Sequence, residues 1–115
     1  MGEDAVCQHL LSIGHSILQR NWRSGHLEVD IISLAADGIH FVEVKTRVAP
    51  VSADPIENIN LRKQQNITKA AARYLSGCDH GTENLEVWLD AATVVLDGGT
   101  TIVEYYPGAY TPFIL

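Results

Sequence analysis

The pattern of hydrophobic and polar positions divides the chain into seven short elements. Near the start, apolar side chains recur at helical spacing as far as Gly14, which is a natural C-cap. Three segments with the apolar content of strands follow, at residues 16–22, 26–34 and 39–48. Because Ala36-Asp37-Gly38 is a hairpin turn, the last two strands are expected to pair side by side.

The second half predicts a helix and a hairpin. Asp54-Pro55-Ile56-Glu57 has the N-cap, N1 and N3 residues of a helix start, and Gly77 marks the helix end. One side of this helix is apolar, at Ile67, Ala71, Tyr74 and Leu75. Strands are predicted at 86–96 and from 101 to 106, joined by a turn at 97–100. The order α-β-β-β-α-β-β indicates a single α/β domain over residues 1–115, built around a mixed sheet.

Two acids and a lysine interrupt the apolar strands. Glu43 and Lys45 are two residues apart, so they share one face of the third strand. In the second strand, alternation puts Leu27, Val29 and Ile31 on one face and Asp30 on the other. Since the two strands form a hairpin, Asp30 and Glu43 are expected to lie within a few ångströms of each other.

Opposed carboxylates repel unless a cation lies between them, and Mg²⁺ prefers such oxygen ligands. Lys45 would then hold a phosphate oxygen or orient an attacking water, as phosphodiester hydrolysis requires. The competing interpretation is a solvated cross-strand ion network, which the pattern alone favours because such networks are common. Two carboxylates are not balanced by the single lysine, and this excess of negative charge favours a bound metal cation.

Charge is distributed unevenly along the chain, which has a formal net charge of −6. All eight basic residues lie between Arg20 and Arg73, where six acidic residues accompany them, so this segment has a net charge of +2. The basic side chains expected to contact nucleic acid are Arg20, Arg23, Arg47, Arg62, Lys63, Lys69 and Arg73. For the stripe on the second helix the competing interpretation is a solvated face, which is the commoner case, although no glutamate partners the stripe four residues away. No apolar run is long enough to span a membrane, and the acidic N-terminus lacks signal-peptide features, so we expect a cytoplasmic protein.

Several motifs follow one another in a specific order: GEDA (2–5), GHSILQRNWR (14–23), GHLEVDII (25–32), FVEVKTR (41–47), DPIEN (54–58) and WLDAA (88–92). In this order they resemble the YraN-like family of small bacterial proteins. That family is similar to the archaeal Holliday-junction resolvases, within the PD-(D/E)xK nuclease superfamily. The resemblance implies a restriction-endonuclease-like core.

Residue by residue, the resemblance implies that Asp30 and Glu43 bind the metal and that Lys45 is the lysine of the E-x-K element. Glu3 matches the helical glutamate of resolvase sites, and Glu28 matches a further acid and is an additional candidate metal ligand. Val29 stands where the superfamily has proline. The implied cofactor is Mg²⁺ or Mn²⁺.

The implied partner is DNA, including branched DNA, and the resolvase analogy implies a homodimer. A candidate dimer surface is the aromatic tail, with Tyr105, Tyr106, Tyr110 and Phe113. Three functions are weighed: a Mg²⁺-dependent endonuclease, a non-catalytic nucleic-acid-binding module with the same fold, and a protein-interaction domain. The acidic C-terminal third keeps the last of these open.

Overall fold

A computed structural model describes residues 2–50, 61–77 and 85–110. The elements are α1 (Gly2–Ser12), β1 (Ser16–Ser24), β2 (Leu27–Ala35), β3 (Gly38–Val48), α2 (Leu61–Ser76), β4 (Val87–Asp97) and β5 (Thr100–Tyr106). The predicted order α-β-β-β-α-β-β is therefore confirmed, with ends that differ by one or two residues. The predicted helix start at Asp54 lies outside the described residues.

The five strands form one mixed sheet in the order β1-β2-β3-β4-β5. Neighbours pair antiparallel except β3 and β4, which are parallel from Ile39–Val87 to Val48–Leu96. A parallel pair needs a crossover connection, and α2 lies in that connection. β3, which carries Glu43 and Lys45, is the central strand and therefore has a neighbouring strand along each of its two edges.

Each face of the sheet is covered by one helix. Beneath α2, Ile67 and Ala71 pack with Phe41 and other side chains of the sheet. Tyr74 and Leu75 pack against the same core, as the apolar stripe predicts. Beneath α1 lies a second core, formed by Val6, Cys7, Leu10, Ile31, Val42, Ala92 and Val94.

The alternation predicted for β2 is wrong after Val29. Val29 packs beneath α2, whereas Ile31, two residues later, packs beneath α1, and Ile32 returns to the α2 side. Residues two apart in a regular strand share a face. The faces therefore switch at Asp30, between these apolar residues.

The neighbouring strand switches faces at the same level. Trp22, which pairs with Val29, packs against the core beneath α2. Arg20, which pairs with Ile31, instead reaches Asp4 of α1. Between them, Asn21 has a left-handed backbone with φ of 52°, a conformation that asparagine tolerates better than most residues.

Candidate active site

Asp30 lies where the ladder between β2 and β3 ends. The last paired residues are Ile31 and Val42. One residue further, the Oδ2 atom of Asp30 accepts a hydrogen bond of 2.7 Å from the backbone N–H of Val44. A side-chain carboxylate thus bonds the next strand directly, which fixes its orientation beside Glu43.

Asp30 and Glu43 line the same cavity. Its volume is about 180 Å³. The other lining residues are His26, Glu28, Val29, Lys63, Asn66 and Ile67. The β2–β3 face and α2 therefore enclose a small polar space that contains the two predicted acids and one predicted basic residue.

The acids around Asp30 interact with one another. Burial raises the pKa of Asp30 to about 6, against the hydrogen bond from Val44, and the charges of Glu3, Glu43 and Glu28 raise it further. Glu3 comes from the first turn of α1 and does not line the cavity, so Asp30 is influenced by carboxylates from three elements. This concentration of negative charge favours a bound cation.

Lys45 is the buried cation of the site. Its side chain is only 6% exposed, and its Nζ atom has no hydrogen-bond acceptor among the described residues. Burial lowers the pKa of Lys45 to about 8, and the nearby ammonium of Lys63 lowers it further. Because a buried ammonium without an acceptor is unfavourable, the two lysines are suited to an anionic ligand.

Glu43 has a hydrogen-bond partner that no sequence pattern indicates. The hydroxyl of Tyr110 donates to Oε2 of Glu43 at 2.8 Å, and Tyr110 is only 2% exposed. Tyr110 of the candidate dimer surface is therefore buried within the protomer, and Phe113 lies outside the described residues. Tyr105 of the same proposed surface is also engaged internally, since its hydroxyl donates to Asp90.

The exposed face of α2 carries three of the seven predicted nucleic-acid contacts, and a fourth, Lys63, lines the acidic cavity. Lys69 and Arg73 line a cleft of about 510 Å³ that shares His26 with the acidic cavity. Arg62 is exposed on the same helix, and Arg73 donates to Ser24 Oγ at 3.3 Å. The cavity and this cleft are therefore adjacent along one helix.

The structure does not bring the other predicted arginines to the cavity lining. Arg20 pairs with Asp4 at 2.7 Å and approaches Glu3 at 3.9 Å, on the α1 side of the sheet. Arg23 pairs with Glu28 at 3.2 Å. Arg47 donates to the carbonyl of its neighbour Thr46 at 3.2 Å.

The donor set fits a hard divalent cation. Carboxylate oxygens suit Mg²⁺ and Mn²⁺, and Mg²⁺ commonly uses one or two carboxylates together with waters and phosphate oxygens. Asp30 and Glu43 would supply the two carboxylates. Within the part of the chain that the structure describes, no three acidic, histidine or cysteine side chains are grouped closely enough to form a complete metal cage.

A second polar cluster lies around His40, at the other end of β3. The Nδ1 atom of His40 lies 2.6 Å from Oδ2 of Asp90, and its Nε2 atom lies 2.7 Å from Oδ1 of Asp37. His40 and Asp90 are both buried. Burial opposes protonation of His40, but the hydrogen bonds to Asp90 and Asp37 outweigh it, so the pKa of His40 is raised.

Residues 2–95 match the model of a family described as Uncharacterised protein family UPF0102. The chain belongs to this family. The match includes Glu3, Asp30, Glu43 and Lys45, and it confirms the resemblance to the YraN-like proteins at the level of the family. Tyr110 lies beyond the residues matched.

Individual UPF0102 proteins are similar over different lengths. The protein from Nitratidesulfovibrio vulgaris is 36% identical over 109 residues, which is 95% of this chain and 80% of that protein. The protein from Bacteroides thetaiotaomicron is 32% identical over 111 residues, 96% of this chain and 89% of its own length. The protein from Oleidesulfovibrio alaskensis is 44% identical over 79 residues, and there the match spans only 39% of the longer relative.

Among the described residues, no helix is both long and apolar enough to cross a membrane.

Proposed function

We propose that this UPF0102 protein is a Mg²⁺-dependent endonuclease that hydrolyses phosphodiester bonds of DNA. The observation that carries the proposal is that Asp30 and Glu43 line one cavity. Lys45 is not part of the cavity lining, but it interacts electrostatically with Glu43, and its buried ammonium has no acceptor among the described residues. An acidic pair attracts a cation, and the lysine attracts an anion. A metal ion together with a phosphate diester satisfies both requirements.

Each residue then has a defined role. Mg²⁺, when bound, would neutralise phosphate charge and promote attack by water. Asp30 and Glu43 would hold it, with Glu3 and Glu28 adding negative charge around it. Lys45 and Lys63 would face the phosphate oxygens, where negative charge increases as water adds to phosphorus and the ester P–O bond breaks. With a pKa of about 8, Lys45 is mainly protonated at neutral pH, as this role requires.

The cleft beside the cavity supplies contacts to the rest of the strand. Lys69 and Arg73 lie along it, so phosphates next to the scissile one would meet their positive charges. Branched DNA is the proposed substrate because of the resemblance to junction resolvases. Symmetrical cleavage of a junction needs two sites, so the proposal includes a homodimer.

The test is cleavage of four defined DNA structures, a four-way junction, a flap, a single strand and a duplex, with and without Mg²⁺. We expect Mg²⁺-dependent cleavage by the wild type and a loss of at least about 100-fold in Asp30→Asn and Glu43→Gln. Glu104→Gln on β5 is the matched control, since it also neutralises one glutamate, on the exposed surface. Equal cleavage by the wild type and both site variants would contradict the proposal.

One observation favours a second function, a non-catalytic nucleic-acid-binding module. In the described parts of the chain, the acids do not form a preformed three-ligand cage, whereas Arg62, Lys69 and Arg73 are exposed along one helix. Such a module would bind DNA with strong salt dependence and without a metal requirement. Calorimetric titration with Mg²⁺ separates the two functions, because only the nuclease should lose metal binding on Asp30→Asn.

A further inference from the structure

We infer that Tyr110 is a positioning residue that orients Glu43 for metal binding, and that Asp90 anchors the segment carrying it. The inference rests on the proposed function, because it gives Tyr110 a role only if Glu43 is a ligand. Its basis is the hydrogen bond of 2.8 Å from the Tyr110 hydroxyl to Oε2 of Glu43, which is partly buried and whose donor residue is only 2% exposed. One hydroxyl can occupy one oxygen of the carboxylate, so the other oxygen remains available to a cation.

Tyr110 is held in place by two backbone hydrogen bonds of its segment and by the packing of its ring. Its backbone N–H donates to the carbonyl of Leu89 at 3.1 Å. Two residues earlier, the N–H of Gly108 donates to Oδ1 of Asp90 at 2.8 Å. The ring itself lies in the core beneath α2, which includes Ile67. Because backbone and ring are both fixed, the hydroxyl is delivered to Glu43 in one orientation.

Asp90 connects this contact to the buried cluster at the other end of β3. Its Oδ2 atom interacts with His40 and accepts from Tyr105, while Oδ1 accepts from Gly108. Tyr105 packs against the core beneath α1, whereas Tyr110 packs in the core beneath α2. The segment between them therefore crosses from one face of the sheet to the other, and Asp90 fixes the crossing point.

This arrangement is what a ligand carboxylate requires. Groups that hydrogen-bond to metal ligands fix their orientation, and their loss typically costs about 10- to 100-fold in metal affinity or activity. A purely structural role for Tyr110 would reside in its ring, which fills the core. Removing only the hydroxyl separates the two roles.

The experiment is calorimetric titration of the full chain with Mn²⁺, in the wild type, Tyr110→Phe, Tyr106→Phe and Glu43→Gln. Tyr106→Phe is the matched control, because its hydroxyl also donates to a glutamate, Glu104, on the exposed surface. We expect Tyr110→Phe to weaken Mn²⁺ binding by about 10-fold. Tyr106→Phe should leave it unchanged, and Glu43→Gln should abolish it. In cleavage assays, Tyr110→Phe should raise the metal concentration for half-maximal rate while the KM for DNA is unchanged.

The outcomes distinguish this inference from the proposed function. Wild-type affinity in Tyr110→Phe, together with loss of binding in Glu43→Gln, would overturn the role of Tyr110 and leave the metal site in place. Equal binding by wild type and Glu43→Gln, or no binding by wild type, would overturn the proposed function and this inference with it. Circular dichroism of each variant tests whether the fold is retained. Asp90→Asn weakens the anchor without touching Glu43, and it should reproduce part of the loss of Mn²⁺ affinity expected for Tyr110→Phe.

Discussion

Lys45 carries a charged ammonium at a buried position of the folded protein. Its ammonium is buried and has no acceptor among the described residues, which disfavours the folded state. The same ammonium lies close enough to Glu43 and Lys63 to interact with both. A residue that reduces stability at a polar cavity is typical of a group retained for its ligand.

We predict that Lys45→Met raises the free energy of unfolding by about 1–3 kcal/mol and, on the proposed function, abolishes DNA cleavage. Methionine keeps much of the side-chain length and removes the buried charge. Urea denaturation measures the first effect, and cleavage of the preferred DNA substrate measures the second. Lys69→Met is the control, since Lys69 is exposed and its loss should leave stability nearly unchanged. A large destabilisation by Lys45→Met would show instead that the ammonium has a structural acceptor.

At the scale of single residues, the sequence is informative where partners are close along the chain. Strand alternation and one hairpin turn predict that Asp30 and Glu43 lie close together, and both line one cavity, although the predicted alternation of β2 fails next to Asp30. Tyr110 is 67 residues from Glu43, and the hydrogen bond between them leaves no periodic signal. His40 and Asp90 are 50 residues apart, and each lies within an apolar strand. The apolar pattern predicts each strand without these two residues, so it does not indicate that they are partners.

The elements themselves were predictable because their signals are local. Helical spacing, turn residues and apolar runs predict all seven elements, and the structure confirms their order. The switch of faces at Asn21 and Asp30 was not predictable, because alternation assumes a regular strand and neither position carries glycine or proline. Without that switch, Asp30 and Val29 would not both line the cavity with α2.

Three strands are joined by the His40 cluster, since His40 lies on β3, Asp90 on β4 and Tyr105 on β5. The pKa of His40 is raised in the folded protein, so the protonated imidazole stabilises the fold. This contribution is fully present below the unfolded pKa of about 6.5 and is lost as pH rises through the folded pKa. We predict that His40→Gln destabilises the protein by about 3 kcal/mol at pH 6 and by less at alkaline pH.

Thermal or urea denaturation of wild type and His40→Gln over pH 5.5–9 measures this difference. His26→Gln is the matched control, because His26 is exposed and its substitution should cost little at any pH. A difference between wild type and His40→Gln that does not change with pH would contradict the assignment of a protonated His40.

At the scale of the whole molecule, the proposed function requires DNA to approach a protein of net charge −6, and a basic surface would be its point of contact. Among described residues, that surface is the exposed side of α2, where Arg62, Lys69 and Arg73 follow one another at helical spacing. We predict that Lys69→Ala and Arg73→Ala each weaken DNA binding and reduce the slope of log affinity against log salt by about 1.

Fluorescence anisotropy of labelled DNA over a range of salt concentrations measures both effects. Arg23→Ala is the control, since Arg23 pairs with Glu28 and should contribute less to the slope. Equal slopes for the wild type and both α2 variants would move the DNA contact to another surface.

The 67 residues between Glu43 and Tyr110 also have a consequence for how the protein is made. Ribosomes add about 5–20 residues per second, so Glu43 is synthesised roughly 3–13 seconds before the tyrosine that holds it. During that interval the β1–β3 meander can form with both acids already on it. On the proposed function, the nascent chain therefore carries its metal ligands before it can orient them, and competence to cut DNA is acquired only after Tyr110 has been added.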